Sequence, residues 1–102
     1  MSNEVLTTEY IKNESKSIFE KYDFIDKVYL FGSYAKNKAT SDSDIDIVVK
    51  LNSNVGMKLY SLYDDFENIL NKRVDVLTEN EIKSIMPKIY ERDRVLIYEQ
   101  NI

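Results

Sequence analysis

Two aspartates separated by a single residue, Asp44 and Asp46, open an apolar run that continues to Val49. In an extended strand alternate side chains point to the same face, so the two carboxylates would stand side by side, opposite Ile45 and Ile47. Paired carboxylates repel each other unless a cation neutralises them, and oxygen ligands favour Mg²⁺ or Mn²⁺. The pattern therefore predicts a divalent metal site on this strand.

A Gly-Ser pair ends the preceding apolar segment. Gly32 follows the predicted strand 28–31 directly, where it would supply a backbone conformation or a close approach that a Cβ would block. Ser33 begins a short turn or helix, and the polar segment 36–43 then leads to the aspartates. Lys36 and Lys38 in that segment are candidates for binding phosphates. The stretch as a whole predicts a site for metal and a nucleotide triphosphate.

A third aspartate, Asp75, lies in the alternating segment 73–77, which predicts another strand. If this strand is the neighbour of the first, burial of Val74 and Val76 places Asp75 on the same side as Asp44 and Asp46. In-line phosphoryl or nucleotidyl displacement uses two metal ions about 4 Å apart. We expect the first two aspartates to bridge both ions and Asp75 to bind the ion that carries the attacking hydroxyl.

Composition excludes several other chemistries. The chain has 102 residues, no His and no Cys, so zinc sites, His bases and thiolate nucleophiles are ruled out, and one domain spanning 1–102 is expected. A net charge of −4 argues against direct nucleic-acid binding. The first residues lack the pattern of a signal peptide and no apolar run is long enough to span a membrane, so we expect a cytoplasmic protein.

The remaining elements predict an α/β fold. Thr7 or Thr8 caps a helix to about residue 22, and segment 57–71 predicts a second helix with an apolar stripe and a solvent-facing polar side that includes Glu67. Thr78 begins a short helix that stops or kinks at Pro87, and 95–99 predicts a last strand. The expected architecture is a small mixed sheet of about four strands, with helices mainly on one face and the carboxylates at the open edge of the other.

The complete pattern is Gly32-Ser33, then the aspartate pair, then Asp75 on a later strand. It resembles the signature of the DNA polymerase beta-like nucleotidyltransferase superfamily, and at this length its minimal nucleotidyltransferase branch. The resemblance implies that Gly32 and Ser33 hold the nucleotide phosphates and that Asp44, Asp46 and Asp75 bind Mg²⁺. It also implies AMP transfer from ATP to a tyrosine of a cognate HEPN ribonuclease toxin, with this chain as the antitoxin.

Two positions depart from the family pattern. Many members have Gly where this chain has Asn37, a residue that tolerates a left-handed conformation. Many also carry Arg directly after the serine, where this chain has Tyr34, so Lys36, Lys38 or Arg73 would have to supply the positive charge.

Two alternative functions remain open from the residues. The acidic chain could neutralise a toxin by binding alone, covering a basic RNA-binding cleft, or it could transfer the nucleotide to a small-molecule hydroxyl. Asp42 is assigned to the loop, because a register that pairs it with Asp44 would place Ser43, not an apolar residue, between the ligands.

Overall fold

The computed structural model describes residues 4–100, and these form a four-stranded sheet with helices on both faces. No helix within this range is long and apolar enough to cross a membrane. In chain order the elements are α1 (Thr8–Lys21), β1 (Ile25–Phe31), α2 (Gly32–Ala35), β2 (Ile45–Leu51), a 3₁₀ turn (Gly56–Lys58), α3 (Leu59–Leu70), β3 (Val74–Thr78), α4 (Glu79–Ile85), α5 (Pro87–Asp93) and β4 (Val95–Glu99).

The sheet is mixed, with the strand order β3-β2-β1-β4. β1 pairs antiparallel with both β2 and β4, whereas β2 and β3 run parallel. Parallel neighbours need a crossover connection, and α3 provides it. The predicted α/β class with about four strands is confirmed, and the second and third predicted strands are indeed neighbours.

The larger core lies between the sheet and the two long helices, α1 and α3. Both helices direct an apolar stripe at it, as the helical spacing of the sequence predicts. The buried strand residues on this face belong to all four strands: Ile25, Val28, Leu30, Ile45, Ile47, Val49, Val74, Val76 and Ile97. Placement of the long helices on one face agrees with the expected architecture.

A smaller core lies on the opposite face, under α4 and α5. Ile82 and Tyr90 from these helices pack on Tyr29, Phe31 and Val48 of the sheet. The Tyr90 ring meets the rings of Tyr29 and Phe31 edge-on, with centroid distances of 5.7 and 5.9 Å. This face is therefore partly covered as well, and the carboxylates lie beside the covered part.

Local signals set the helix ends. Thr7 is the N-cap of α1, because its side chain accepts a hydrogen bond from the Tyr10 N–H at 3.0 Å. Thr78 and Glu81 form the predicted capping box at the start of α4. Pro87 begins α5 after α4 has ended at Ile85, so the predicted break at the proline is confirmed.

Replacement of Tyr90 by Phe tests the smaller core. The buried Tyr90 hydroxyl donates to the Glu79 carboxylate at 2.9 Å, and burial raises the pKa of this hydroxyl above its usual value. We expect Tyr90→Phe to lower the free energy of unfolding by about 1–3 kcal/mol, because the buried carboxylate loses a donor. Chemical denaturation measures this, with the exposed Tyr10→Phe as control. An equal effect of both substitutions would contradict the assignment.

Candidate active site

Gly32 directly follows β1, and the chain turns there toward the candidate site. Its φ of +66° lies in the left-handed region, which glycine adopts without the penalty of a Cβ. A Cβ at this position would overlap the carboxylate oxygen Oδ2 of Asp46 and would lie 3.3 Å from Asp46 Cγ. Both reasons that the sequence suggested for a glycine here, an unusual backbone conformation and a close approach, are therefore present.

The register of the sheet places Asp46 between Phe31 of β1 and Asp75 of β3. Ile45 and Ile47, which flank Asp46 in β2, are buried in the larger core, so Asp46 faces the opposite side of the sheet. Its direct pairing with Asp75 on a parallel neighbour puts the third predicted carboxylate on the same face. Asp44 immediately precedes β2 and is half-buried.

The carboxylate of Asp46 occupies an electrostatically costly position. Partial burial, and then the negative charges of Asp75 and Asp44, raise the pKa of Asp46 from 3.8 to about 6. The effect of both neighbours on this pKa shows that the three carboxylates share one region. Positive charge near Asp46 would offset the cost.

The three carboxylates are neighbours but do not close around one point. Within residues 4–100 no three acidic side chains are gathered tightly enough to form a metal-binding group as they are placed. Repulsion between like charges favours this separation. The donor set nevertheless fits a hard divalent cation, since all its ligands are carboxylate oxygens, and the missing Cβ of Gly32 makes room for the Asp46 carboxylate.

The segment after Gly32 folds back on itself. The backbone N–H groups of Lys36 and Lys38 donate to the carbonyls of Gly32 and Ser33, at 3.2 and 2.9 Å. Asn37 allows this turn with a φ of 58°, which confirms that it adopts the left-handed conformation. Ser33 is half-buried beside Gly32, while Lys36 and Lys38 are exposed.

Tyr34 does not face the site. Its side chain is buried in the larger core, and its hydroxyl accepts a long hydrogen bond from the Leu6 N–H at 3.5 Å. The position at which many family members carry Arg thus serves packing in this chain. Any positive charge for an anionic ligand has to come from another residue.

Lys36 has a partner that the sequence did not indicate. Its ammonium lies 3.4 Å from Oδ2 of Asp93, the last residue of α5, which also pairs with Arg92. No local pattern could have shown this contact, because it joins residues far apart in the chain. It fastens the end of α5 to the segment that follows Gly32.

The loop before Asp44 is fastened to the start of β3. The Ile45 N–H donates to the Arg73 carbonyl at 3.0 Å, and the buried Lys72 ammonium lies 3.5 Å from the carbonyl of Ser41. The side chain of Arg73 is exposed. Both contacts hold Asp44 next to the strand that carries Asp75.

Comparison with known proteins identifies relatives of this chain. Residues 13–102 match the family model described as polymerase beta, nucleotidyltransferase. A protein of Methanocaldococcus jannaschii that is assigned as a protein adenylyltransferase is 37% identical over 75 residues, which cover 72% of this chain and 86% of the relative.

Solved structures share the fold at lower sequence identity. One is the MNT antitoxin in complex with tri-AMPylated Shewanella oneidensis HEPN toxin, with a TM-score of 0.70 and 17% identity over 92% of this chain and 74% of that chain. Another is a toxin-antitoxin crystal structure with AMP-PNP, with a TM-score of 0.72 and 18% identity over 94% and 76% of the two chains.

Gly32→Ala tests the close approach to Asp46, and Gly56→Ala is its matched control. Both glycines have positive φ, +66° and +56°, but a Cβ on Gly56 would meet no atom within 4 Å. The left-handed strain costs about 1–2 kcal/mol at either position. We expect Gly32→Ala to lower the free energy of unfolding by more than Gly56→Ala, and the added Asp46→Ala to remove the excess. Equal losses in chemical denaturation would contradict the overlap.

Asp46→Asn tests the electrostatic cost of the site in metal-free buffer. The pKa of Asp46 rises from 3.8 to about 6 on folding, so its contribution to stability falls as the pH rises from about 4 to 6 and stays low above that. After a discount for solvent screening, we expect Asp46→Asn to stabilise the protein by about 1 kcal/mol at pH 7.5. Near pH 4 the gain should vanish.

Chemical denaturation at the two pH values measures the gain. Asp42→Asn, in the exposed part of the loop, is the control. A gain that is the same at both pH values would show that the carboxylate charge is not the cause.

Proposed function

The chain belongs to the polymerase beta nucleotidyltransferase family, and from this premise we propose that it is a Mg²⁺-dependent protein adenylyltransferase. It transfers AMP from ATP to a tyrosine of a cognate HEPN ribonuclease toxin and thereby acts as the antitoxin. The observation that carries this proposal is the placement of Asp46 in register with Asp75 and against the backbone of Gly32.

The nucleotide binds at the turn that follows β1. Gly32 and Ser33 hold the phosphates, because the left-handed turn at Gly32 places Ser33 beside the carboxylates and its hydroxyl can donate. Lys38 is exposed beside them, and Lys36 can also reach the phosphates if it exchanges its pairing with Asp93. The structure with AMP-PNP supports ATP as the nucleotide, since that protein shares this fold.

Asp44, Asp46 and Asp75 hold Mg²⁺, with two ions expected. When bound, the cation neutralises the phosphate charge and lowers the pKa of the attacking hydroxyl. Asp44 and Asp46 would hold the cation that binds the triphosphate, and Asp75 would lie on the side of the acceptor. A carboxylate there can also take the proton of the acceptor, which matters because a tyrosine hydroxyl has a pKa of about 10.

The transfer is a single displacement at the α-phosphorus of ATP. The acceptor oxygen forms a bond to the α-phosphorus of ATP, and the bond from this phosphorus to the bridging oxygen breaks. Pyrophosphate leaves with the electron pair of the broken bond, and the hydroxyl proton passes to a carboxylate and then to solvent. The products are the AMP ester of tyrosine and pyrophosphate.

A HEPN toxin as the acceptor is supported by the family and by the shared fold. The relative from M. jannaschii is assigned as a protein adenylyltransferase, and the antitoxin with the same fold lies in a complex with an AMPylated HEPN toxin. The net charge of −4 suits a basic partner surface, so binding contributes to neutralisation alongside catalysis.

Labelled ATP tests catalysis directly. The protein is incubated with Mg²⁺, ATP labelled at the α-phosphate and the proposed cognate HEPN protein. We expect label on a tyrosine of that protein, and a loss of at least about a hundredfold in rate with Asp44→Ala/Asp46→Ala, because the phosphate charge is then unneutralised. Asp42→Ala is the matched control in the same loop.

An assay of toxin ribonuclease activity runs in parallel. If the HEPN protein never takes up label while the double variant still suppresses its activity, neutralisation is by binding and the catalytic proposal is wrong. Label on an added small-molecule alcohol instead of the protein would identify the other acceptor class.

A further inference from the structure

Side chains bind several backbone groups at the outer edge of β3. β3 is the first strand in the order β3-β2-β1-β4, so one of its edges has no strand partner within residues 4–100. In a parallel pair the backbone groups of alternate residues point to opposite edges. Because the Arg73 carbonyl accepts from Ile45 of β2, the backbone groups of Val74 and Val76 point outward.

Two residues of α3 each bind one of these outward groups. The Tyr63 hydroxyl donates to the Val76 carbonyl at 2.7 Å, and the Glu67 carboxylate accepts from the Val74 N–H at 3.1 Å. Both bonds are partly buried. Tyr63 and Glu67 are four positions apart, so they lie on the same face of α3, one turn from each other.

The residue between the two anchored peptide groups is Asp75. We propose that Tyr63 and Glu67 are positioning residues, and that together they clamp β3 on both sides of Asp75 so that its carboxylate stays in register with Asp46. This inference rests on the proposed function, since it assigns the clamp to the carboxylate on the acceptor side.

An edge strand needs such support at a site of this kind. A strand with one free edge opens locally more easily than a central strand. Nucleotidyl transfer is sensitive to this, because a misplacement of about 1 Å can cost about a hundredfold in rate. β2 binds the backbone of β3 from one edge only. The two side-chain bonds, one on each side of Asp75, restrict this backbone from the other edge.

These bonds explain why Glu67 is half-buried, although the helical pattern of the sequence predicts it on the solvent-facing side. Glu67 is half-buried against β3, not on the solvent side of α3, while its own backbone carbonyl accepts from the Asn71 N–H that ends the helix. The carboxylate and the carbonyl of one residue thus hold the turn from α3 into β3.

Tyr63→Phe is the first test, with Tyr22→Phe as its matched control. Each variant removes a hydroxyl that donates one short hydrogen bond. The Tyr63 hydroxyl donates to Val76 of β3 at 2.7 Å, whereas the Tyr22 hydroxyl donates to Asp65 of α3 at 2.6 Å. We expect both variants to lose similar stability. Only Tyr63→Phe should lower kcat for AMP transfer, by about tenfold, with KM for ATP unchanged because Asp75 is on the acceptor side.

Glu67 supplies a conservative rescue. Glu67→Gln keeps a side-chain carbonyl that can accept from Val74, so kcat should stay within about threefold of the wild type. Glu67→Ala removes the acceptor, and we expect about a tenfold loss in kcat at unchanged KM for ATP. Equal losses in kcat for Tyr63→Phe and Tyr22→Phe, or for the two Glu67 variants, would overturn the clamp.

Amide hydrogen exchange tests the clamp without catalysis. The Val74 N–H should exchange at least about tenfold faster in Glu67→Ala than in the wild type, and at the wild-type rate in Glu67→Gln and Tyr22→Phe. If the wild type transfers no AMP, the proposed function fails and this measurement still decides whether the clamp exists. An unchanged Val74 rate in Glu67→Ala refutes it.

Discussion

The position of β2 between an antiparallel and a parallel neighbour is the constraint on which the site depends. β2 buries Ile45 and Ile47 against the long helices, so Asp46 between them has to face the other side of the sheet. The antiparallel neighbour ends at Phe31, directly opposite Asp46, and delivers Gly32 there. The parallel neighbour delivers Asp75 at the same level. A one-residue slip of either strand would separate these groups.

This arrangement holds the Asp46 carboxylate in a partly buried position beside two other carboxylates. Partial burial and two neighbouring carboxylates raise the pKa of Asp46, so its ionised form costs stability at neutral pH. Contacts remote from this charge hold the segments around it. Lys72 and the Ile45 N–H fix the loop before Asp44, and α5 is tied to Lys36 through Asp93. A site that is costly when empty gains most from a cation, because positive charge compensates the repulsion among the carboxylates.

The sequence predicts the elements and the phase of the site because both follow from local rules. Alternation places Asp46 and Asp75 opposite their apolar neighbours, and the left-handed Gly32 and Asn37 follow from the turn chemistry of their residue types. Contacts between distant segments do not follow from such rules. The burial of Tyr34, which removes the position usually held by Arg from the site, and the pairing of Lys36 with Asp93 appear only when the helices pack.

The bound edge of β3 also restricts how the proposed acceptor would reach Asp75. A polypeptide could extend the sheet at this strand only by displacing Tyr63 from Val76 and Glu67 from Val74. Thr78, the last residue of β3, has its N–H bound as well, by Glu81 at 3.1 Å. Backbone pairing with β3 is therefore a poor route for the proposed protein substrate. Under the proposed function, its hydroxyl would arrive on a side chain that extends across the open part of the carboxylate face, and a tyrosine has the length and rigidity for such an approach.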